Sequence, residues 1–216
     1  MPTQYTAKKH HTAVLAAKQT ESGLQRVDSD ASSTTQKDLS TTVHTATERR
    51  ELAEDAFDAM KKANVEAKAR RTSLKFAIAA VVAYGNSTGE PSLTEAGQRT
   101  AASDIAVGEV LLDQLSQLKG TTPQALFGFM GKQLEACRDG DARAAKAQEA
   151  AAKADLAWST EYFRLLSLTS LGISLQQAAG FEVVRTKNPP RGKAKKKVTT
   201  QPEAPVAIES DPGQAA

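Results

Sequence analysis

The stretch LSTTVHTATERRELAEDAFDAMKKANVEAKARRTSLKFAIAAV, residues 39–81, decides the fold class. Stepped in alternating fours and threes it reads Leu39, Val43, Ala46, Arg50, Ala53, Phe57, Met60, Asn64, Ala67, Arg71, Leu74, Ile78, Val81. Ten of these thirteen positions are apolar, and most residues between them are polar or charged. That spacing is the seam of a long helix that packs on other helices.

The surrounding composition agrees. Alanine is abundant, above all from Ala142 to Ala157, and aromatic residues make up only 5% of the chain. Ala, Lys, Glu, Gln and Leu enter helices at little cost, and little in the chain favours strands. Leu, Ala and Val suffice to fill a narrow helix seam. The expected fold is all-α: an elongated, coiled-coil-like antiparallel bundle of three or four long helices, residues 1–181, followed by a tail, residues 182–216.

Outward from the seam, the chain punctuates itself. Upstream, Val14, Ala17, Leu24 and Ala31 form a weaker apolar pattern, with Gly23 among them. Ten of the nineteen residues 29–47 are Ser or Thr, which compete with a helix by bonding nearby backbone. With no Gly or Pro between Leu24 and Tyr84, the sequence favours one continuous helix from about residue 7 to residue 84 over a hairpin of two. Downstream, residues 85–91 read as a loop, with Gly85 as a left-handed cap. Ser92-Leu93-Thr94-Glu95 has the spacing of a capping box and predicts one helix running to Leu118. Thr122-Pro123 predicts a further start, with Thr as N-cap. Leu126, Phe127, Met130 and Leu134 give that helix its apolar face, and Gly128 and Gly131 suggest close helix approach. Residues 138–141 mark a break or a weak point. Trp158, Tyr162, Leu165, Leu168, Leu171, Ile173 and Leu175 continue the pattern to Gly180, which predicts a cap.

Charge separates body from tail. Residues 1–181 carry 21 basic and 21 acidic side chains, so the net charge of +3 arises wholly in the tail. A balanced body argues against a broad nucleic-acid-binding face. Within the tail, Arg185, Lys187, Arg191, Lys193, Lys195, Lys196 and Lys197 fall in thirteen residues with no acid among them. Flexible cations of this kind hold phosphates or anionic surfaces by counterion release. No aromatic residue interleaves them, so any binding is expected to ignore base identity. From residue 186 the tail is Pro-containing and poor in apolar residues, the composition of a disordered segment.

Signs of chemistry are absent. Cys137 is the single cysteine, so no intramolecular disulfide forms, and it reads as a small core residue. His10 and His11 are adjacent and diverge by about 100° on a helix, too far to share one metal easily. No Glu-x-x-His pair and no phosphate-binding Gly-rich loop occurs. No catalytic residue, cofactor or metal site is therefore expected. Met1–Gln19 lacks the apolar run of a signal peptide, and no run reaches the roughly 18–20 residues of a membrane span. A cytoplasmic protein is the expectation.

What remains is interaction. Phe57, Met60, Leu74, Ile78, Trp158, Tyr162 and Leu165 are the expected anchors of the seams. Arg50, Asn64 and Arg71 are polar seam positions of the kind that fix register and oligomer state when buried. The expected role is a non-enzymatic structural or protein-interaction module that self-associates, as a homo-oligomer, or docks on a larger assembly. Polyanion or nucleic-acid binding through the basic tail is the alternative. Insertion of the apolar helix ends, Leu74–Tyr84 and Leu165–Ala179, into a membrane as a hairpin is a weaker one.

Overall fold

The computed structural model describes residues 4–97 and 103–183. They form five helices and no strand. Helix α1 spans Gln4–Leu24, α2 Asp30–Thr88, α3 Pro91–Gly97, α4 Asp104–Gln117 and α5 Thr121–Ala178. The chain is thus an all-α bundle, as its seam requires. Its helices are unequal, however: α2 has 59 residues and α5 has 58, so each is on the order of 90 Å long.

Helices α2 and α5 run antiparallel and form the backbone of the fold. Their buried positions recur every seven residues. On α2 these are Leu39, Ala46, Ala53, Ala67, Leu74 and Val81; on α5 they are Pro123, Met130, Cys137, Ala151, Trp158, Leu165 and Gly172. A strict seven-residue repeat keeps one stripe facing the partner and imposes a left-handed supercoil.

The other helices cover the two ends of this pair. Helix α1 packs on α2 and α5 at one end, and α3 and α4 pack at the other. Among the described residues α1 touches neither α3 nor α4. Two separate cores result. One is built on Leu74, Val81, Leu93, Leu111, Leu115, Met130 and Leu134. The other is built on Leu24, Leu39 and Leu165 with Ala13, Ala17 and Ala46. Between them lies a two-helix neck, where Ala151 is the one buried apolar residue over α2 residues 54–66 and α5 residues 141–157. At the edge of the neck, a Cβ on Gly140 would lie 2.7 Å from Cδ of Arg70 and 3.4 Å from Cα of Ala67. A larger residue there would push the Arg70 side chain aside.

Four expectations from sequence are corrected. The continuous helix from residue 7 to 84 is a hairpin, broken after Leu24. Ser29 caps α2 by accepting the Ser32 N–H, and the buried Ser32 hydroxyl donates to the Val27 carbonyl at 2.6 Å. The turn is made by residues 25–29, just ahead of the Ser/Thr-rich stretch, which is itself helical from Asp30. Second, α2 runs through Gly85, whose place is taken as cap by Gly89 at φ 75°. Gly85 is instead buried under α3, where a Cβ would meet that of Leu93 at 2.8 Å. Third, the helix expected from Ser92 to Leu118 is two: α3 ends at Gly97, and Ser103 caps α4 through the Ala106 N–H. Fourth, α5 is capped at Gly120, not Thr122, and continues unbroken through residues 138–141. Gly128 has nothing near its missing side chain, so it mediates no close approach.

Gly180 ends α5 as expected. It adopts φ 81°, and the N–H groups of Gly180 and Phe181 donate to the carbonyls of Gln177 and Gln176. That is the Schellman pattern of a glycine-terminated helix. The tail from residue 184, with the basic cluster Arg185–Lys197, lies outside the described residues.

Candidate interaction surface

The expected anchors divide between core and rim. Leu74 and Leu165 are fully buried, one in each core, and Ile78 packs against the first. Trp158 is buried, and the half-buried Tyr162 stacks on it with ring centroids 5.5 Å apart. Phe57 and Met60 are only half-buried, because they sit where the bundle thins into the neck. Lys61 places its ammonium 4.4 Å from the Phe57 ring centre.

The three polar seam positions do not act as buried register pins. Asn64 and Arg71 are exposed, and the half-buried Arg50 bonds Glu54 one turn on within its own helix. Asn64 lies in the neck, which has two helices rather than three, so its position opens to solvent. Arg71 reaches across to Asp141 at 3.0 Å. Its neighbour Arg70 donates to the Ala136 carbonyl at 3.0 Å. Further along, Arg138 pairs with Glu109 and Lys75 with Asp104, tying α4 to the long pair.

Next to the Arg71–Asp141 pair is a small open cavity lined by Ser103, Asp104, Ile105 and Cys137. Cys137 is fully buried beneath it. Burial raises the thiol pKa and the Asp141 carboxylate raises it further, with Arg71 opposing. A thiol held protonated is a poor nucleophile. Among the described residues no cluster of His, Cys, Asp and Glu has the make-up of a metal site. No described helix is long and apolar enough to cross a membrane.

The surface feature that sequence reading missed is on the outside of the two long helices. On α2, Val65, Ala69, Thr72, Phe76, Ala80 and Ala83 are all exposed and fall on one stripe. On α5, Leu156, Thr160, Phe163, Ser167, Ser170 and Ser174 do the same. Neither stripe contains a charge. Val65 is 70% exposed, Phe76 71%, Leu156 68% and Phe163 64%. Each lies two residues from a buried seam residue (Ala67, Leu74, Trp158 and Leu165 respectively), about 200° around the helix. The stripes therefore face directly away from the α2–α5 contact. The α2 stripe lies towards the end covered by α3 and α4, and the α5 stripe towards the end covered by α1. The signal was present in sequence: no charged residue occurs between Arg164 and Glu182.

The other missed role is that of His10, one of two adjacent histidines on a weak helix. It is buried at 2% exposure, and its Nδ1 accepts the Trp158 indole N–H at 3.3 Å. Desolvation holds its pKa below the ordinary 6.5; Arg50 and His11 act in the same sense and Glu54 against it.

Compared with known proteins, the chain matches no family, no curated protein and no solved structure.

Proposed function

We propose that this protein is a non-enzymatic helical module that associates with copies of itself through the outer stripes of α2 and α5. The observation that carries this reading is the pair of uncharged stripes with Phe76 and Phe163 at their centres, each about two-thirds exposed. Four large apolar side chains, Val65, Phe76, Leu156 and Phe163, stand exposed on these uncharged stripes, and a partner that covers them gains their burial. Each stripe runs about 27 Å, five turns of helix. Phe76 and Phe163 are followed along their stripes by small residues, Ala80 and Ala83 on α2 and Ser167, Ser170 and Ser174 on α5, so a large side chain of one helix has room against the small ones of another. The neck adds a reason: two alanine-lined helices bury little area per residue, and further helices alongside would enlarge the core.

Sedimentation velocity of the full chain, with Phe76→Glu and Phe163→Glu variants, tests this. The expected wild-type result is a dimer or larger species of high friction. Each charge substitution lowers the mass while leaving the helix content intact. A wild-type monomer at tens of micromolar would move the search to a foreign partner.

The second reading, polyanion binding, is favoured by Arg185–Lys197, where seven cations stand without an acid. It requires an affinity for single-stranded nucleic acid that falls steeply with salt and ignores sequence. An affinity that survives replacement of the seven cations would remove it.

A further inference from the structure

We propose that α1 is a strap which acid releases from the α2–α5 pair, with His10 as its latch. The hydrogen bond to Trp158 fixes the state of His10. An indole N–H only donates, so Nδ1 must be unprotonated and the proton of the neutral ring sits on Nε2. A second proton would go to Nδ1, and two N–H groups would then face each other at 3.3 Å. Nε2 meanwhile is buried with no hydrogen-bond partner. Neither nitrogen of a charged ring would have an acceptor, so an imidazolium is expelled from this place.

The surroundings do not rescue the charged ring. From α2 it faces Arg50 and Glu54; Arg50 repels it, and Glu54, which attracts it, is already paired with Arg50 at 2.5 Å. From α1 its neighbours in sequence are His11 and Lys9, both cationic when protonated. From α5 it meets Trp158, whose nearest charged neighbours in sequence are Asp155 and Glu161.

The strap is built to come away as a unit. Among the side chains described in α1, residues 8–24, the buried apolar ones are Ala13, Ala17 and Leu24, a small set. A lone helix of this length is marginal in water, so α1 depends on these contacts. Among the described residues it touches α2 and α5 alone, so its departure leaves the α3 and α4 end as it was. Release bares Leu39, Ala46 and Leu165.

The sign follows from linkage. A histidine whose folded-state pKa is depressed contributes fully above its unfolded value of 6.5, and the contribution is lost as pH falls below that value. At pH 5.5 a free histidine is protonated about ten to one, so protonation favours the released strap by at most about tenfold.

Hydrogen exchange of the full chain at pH 7.5 and 5.5, corrected for intrinsic exchange rates, tests the proposal. The expected result is a several-fold loss of protection across residues 10–24, with residues 104–140 unchanged. The H10N variant keeps an acceptor where Nδ1 stands but does not titrate, and its α1 protection should not depend on pH. The W158F variant keeps the imidazole and removes the opposing donor, so its α1 protection should depend less on pH than that of the wild type. Three results would overturn the proposal: α1 protection equal at both pH values, an equal loss in H10N, or loss of α1 together with residues 104–140.

Discussion

At the end covered by α3 and α4, the buried residues described from Leu74 to Cys137 are apolar, and no polar or charged side chain among the described residues is buried with them. At the end covered by α1, His10, Thr20, Ser32, Thr35, Thr42, Thr169 and Gln176 are buried beside a smaller apolar core. The buried side-chain atoms without a hydrogen bond, His10 Nε2, Thr42 Oγ1 and Glu161 Oε2, lie on the helices of this second end too. The same two helices therefore frame a dry core and a polar one. Apolar burial stabilises without regard to orientation, whereas a buried polar group is costly unless its partner is in place. The first end supplies stability. The second supplies a contact that holds in one arrangement only, and that a proton can break.

The largest effects should come from truncating the dry core. Leu74→Ala removes a fully buried side chain that touches α4 and α5, and should cost about 2–5 kcal/mol in chemical denaturation. The matched change Leu165→Ala should act differently. It loosens the polar end, so hydrogen exchange should rise in α1 and the adjoining turns of α2 and α5 before residues 104–140 respond. Equal costs with one shared transition would erase the distinction between the ends.

This division explains what was legible in sequence. The α2 seam was readable because Leu39, Leu74 and Val81 stand among charges at a seven-residue spacing. The same repeat on α5 was obscured, since Pro123, Cys137 and Gly172 occupy it alongside Met130, Trp158 and Leu165. A small residue that marks close approach looks, in isolation, like a loop residue or a helix breaker. The hairpin between α1 and α2 was missed for a related reason. It uses the Ser29 and Ser32 hydroxyls in place of Gly or Pro, and their role depends on which carbonyls come within reach. Gly85 was mistaken for a cap because its lack of a side chain serves tertiary contact with α3 rather than backbone conformation. His10 was unreadable because its function lies in a partner 148 residues away. The outer stripes were not readable as such, because Phe76 and Phe163 are two residues from the seam residues Leu74 and Leu165 and only the packed helices show which side faces out.

An intermediate effect is expected at Gln176. Its side-chain amide donates to the Thr20 carbonyl at 2.7 Å, across the interface that holds α1. It fits because residue 23 is glycine: a Cβ there would fall 2.5 Å from the Gln176 amide. Gln176→Ala should cost about 1–3 kcal/mol, the usual loss for a buried hydrogen bond and its contacts. Gly23→Ala should reproduce part of that loss without touching the glutamine. Both losses should appear as exchange in α1, and a response centred on residues 104–140 would contradict the separation of the two ends.

The smallest effect concerns the neck that joins them. Arg71 and Asp141 form an ion pair across it, with the arginine side chain 59% exposed and the carboxylate 26%. An exposed pair is screened by water and salt, and its two side chains must be ordered to make it. Arg71→Ala should therefore cost no more than about 1 kcal/mol, and the cost should vanish in molar salt. The adjacent Arg70 provides the contrast. Its side chain lies over Gly140 and bonds the Ala136 carbonyl, so it packs on the α5 backbone as well as carrying charge. Arg70→Ala should cost more than Arg71→Ala, and salt should not remove the difference. If the order were reversed, the neck would be held by its charges. If the order holds, close packing of small residues joins the two ends, and the ion pair adds only register.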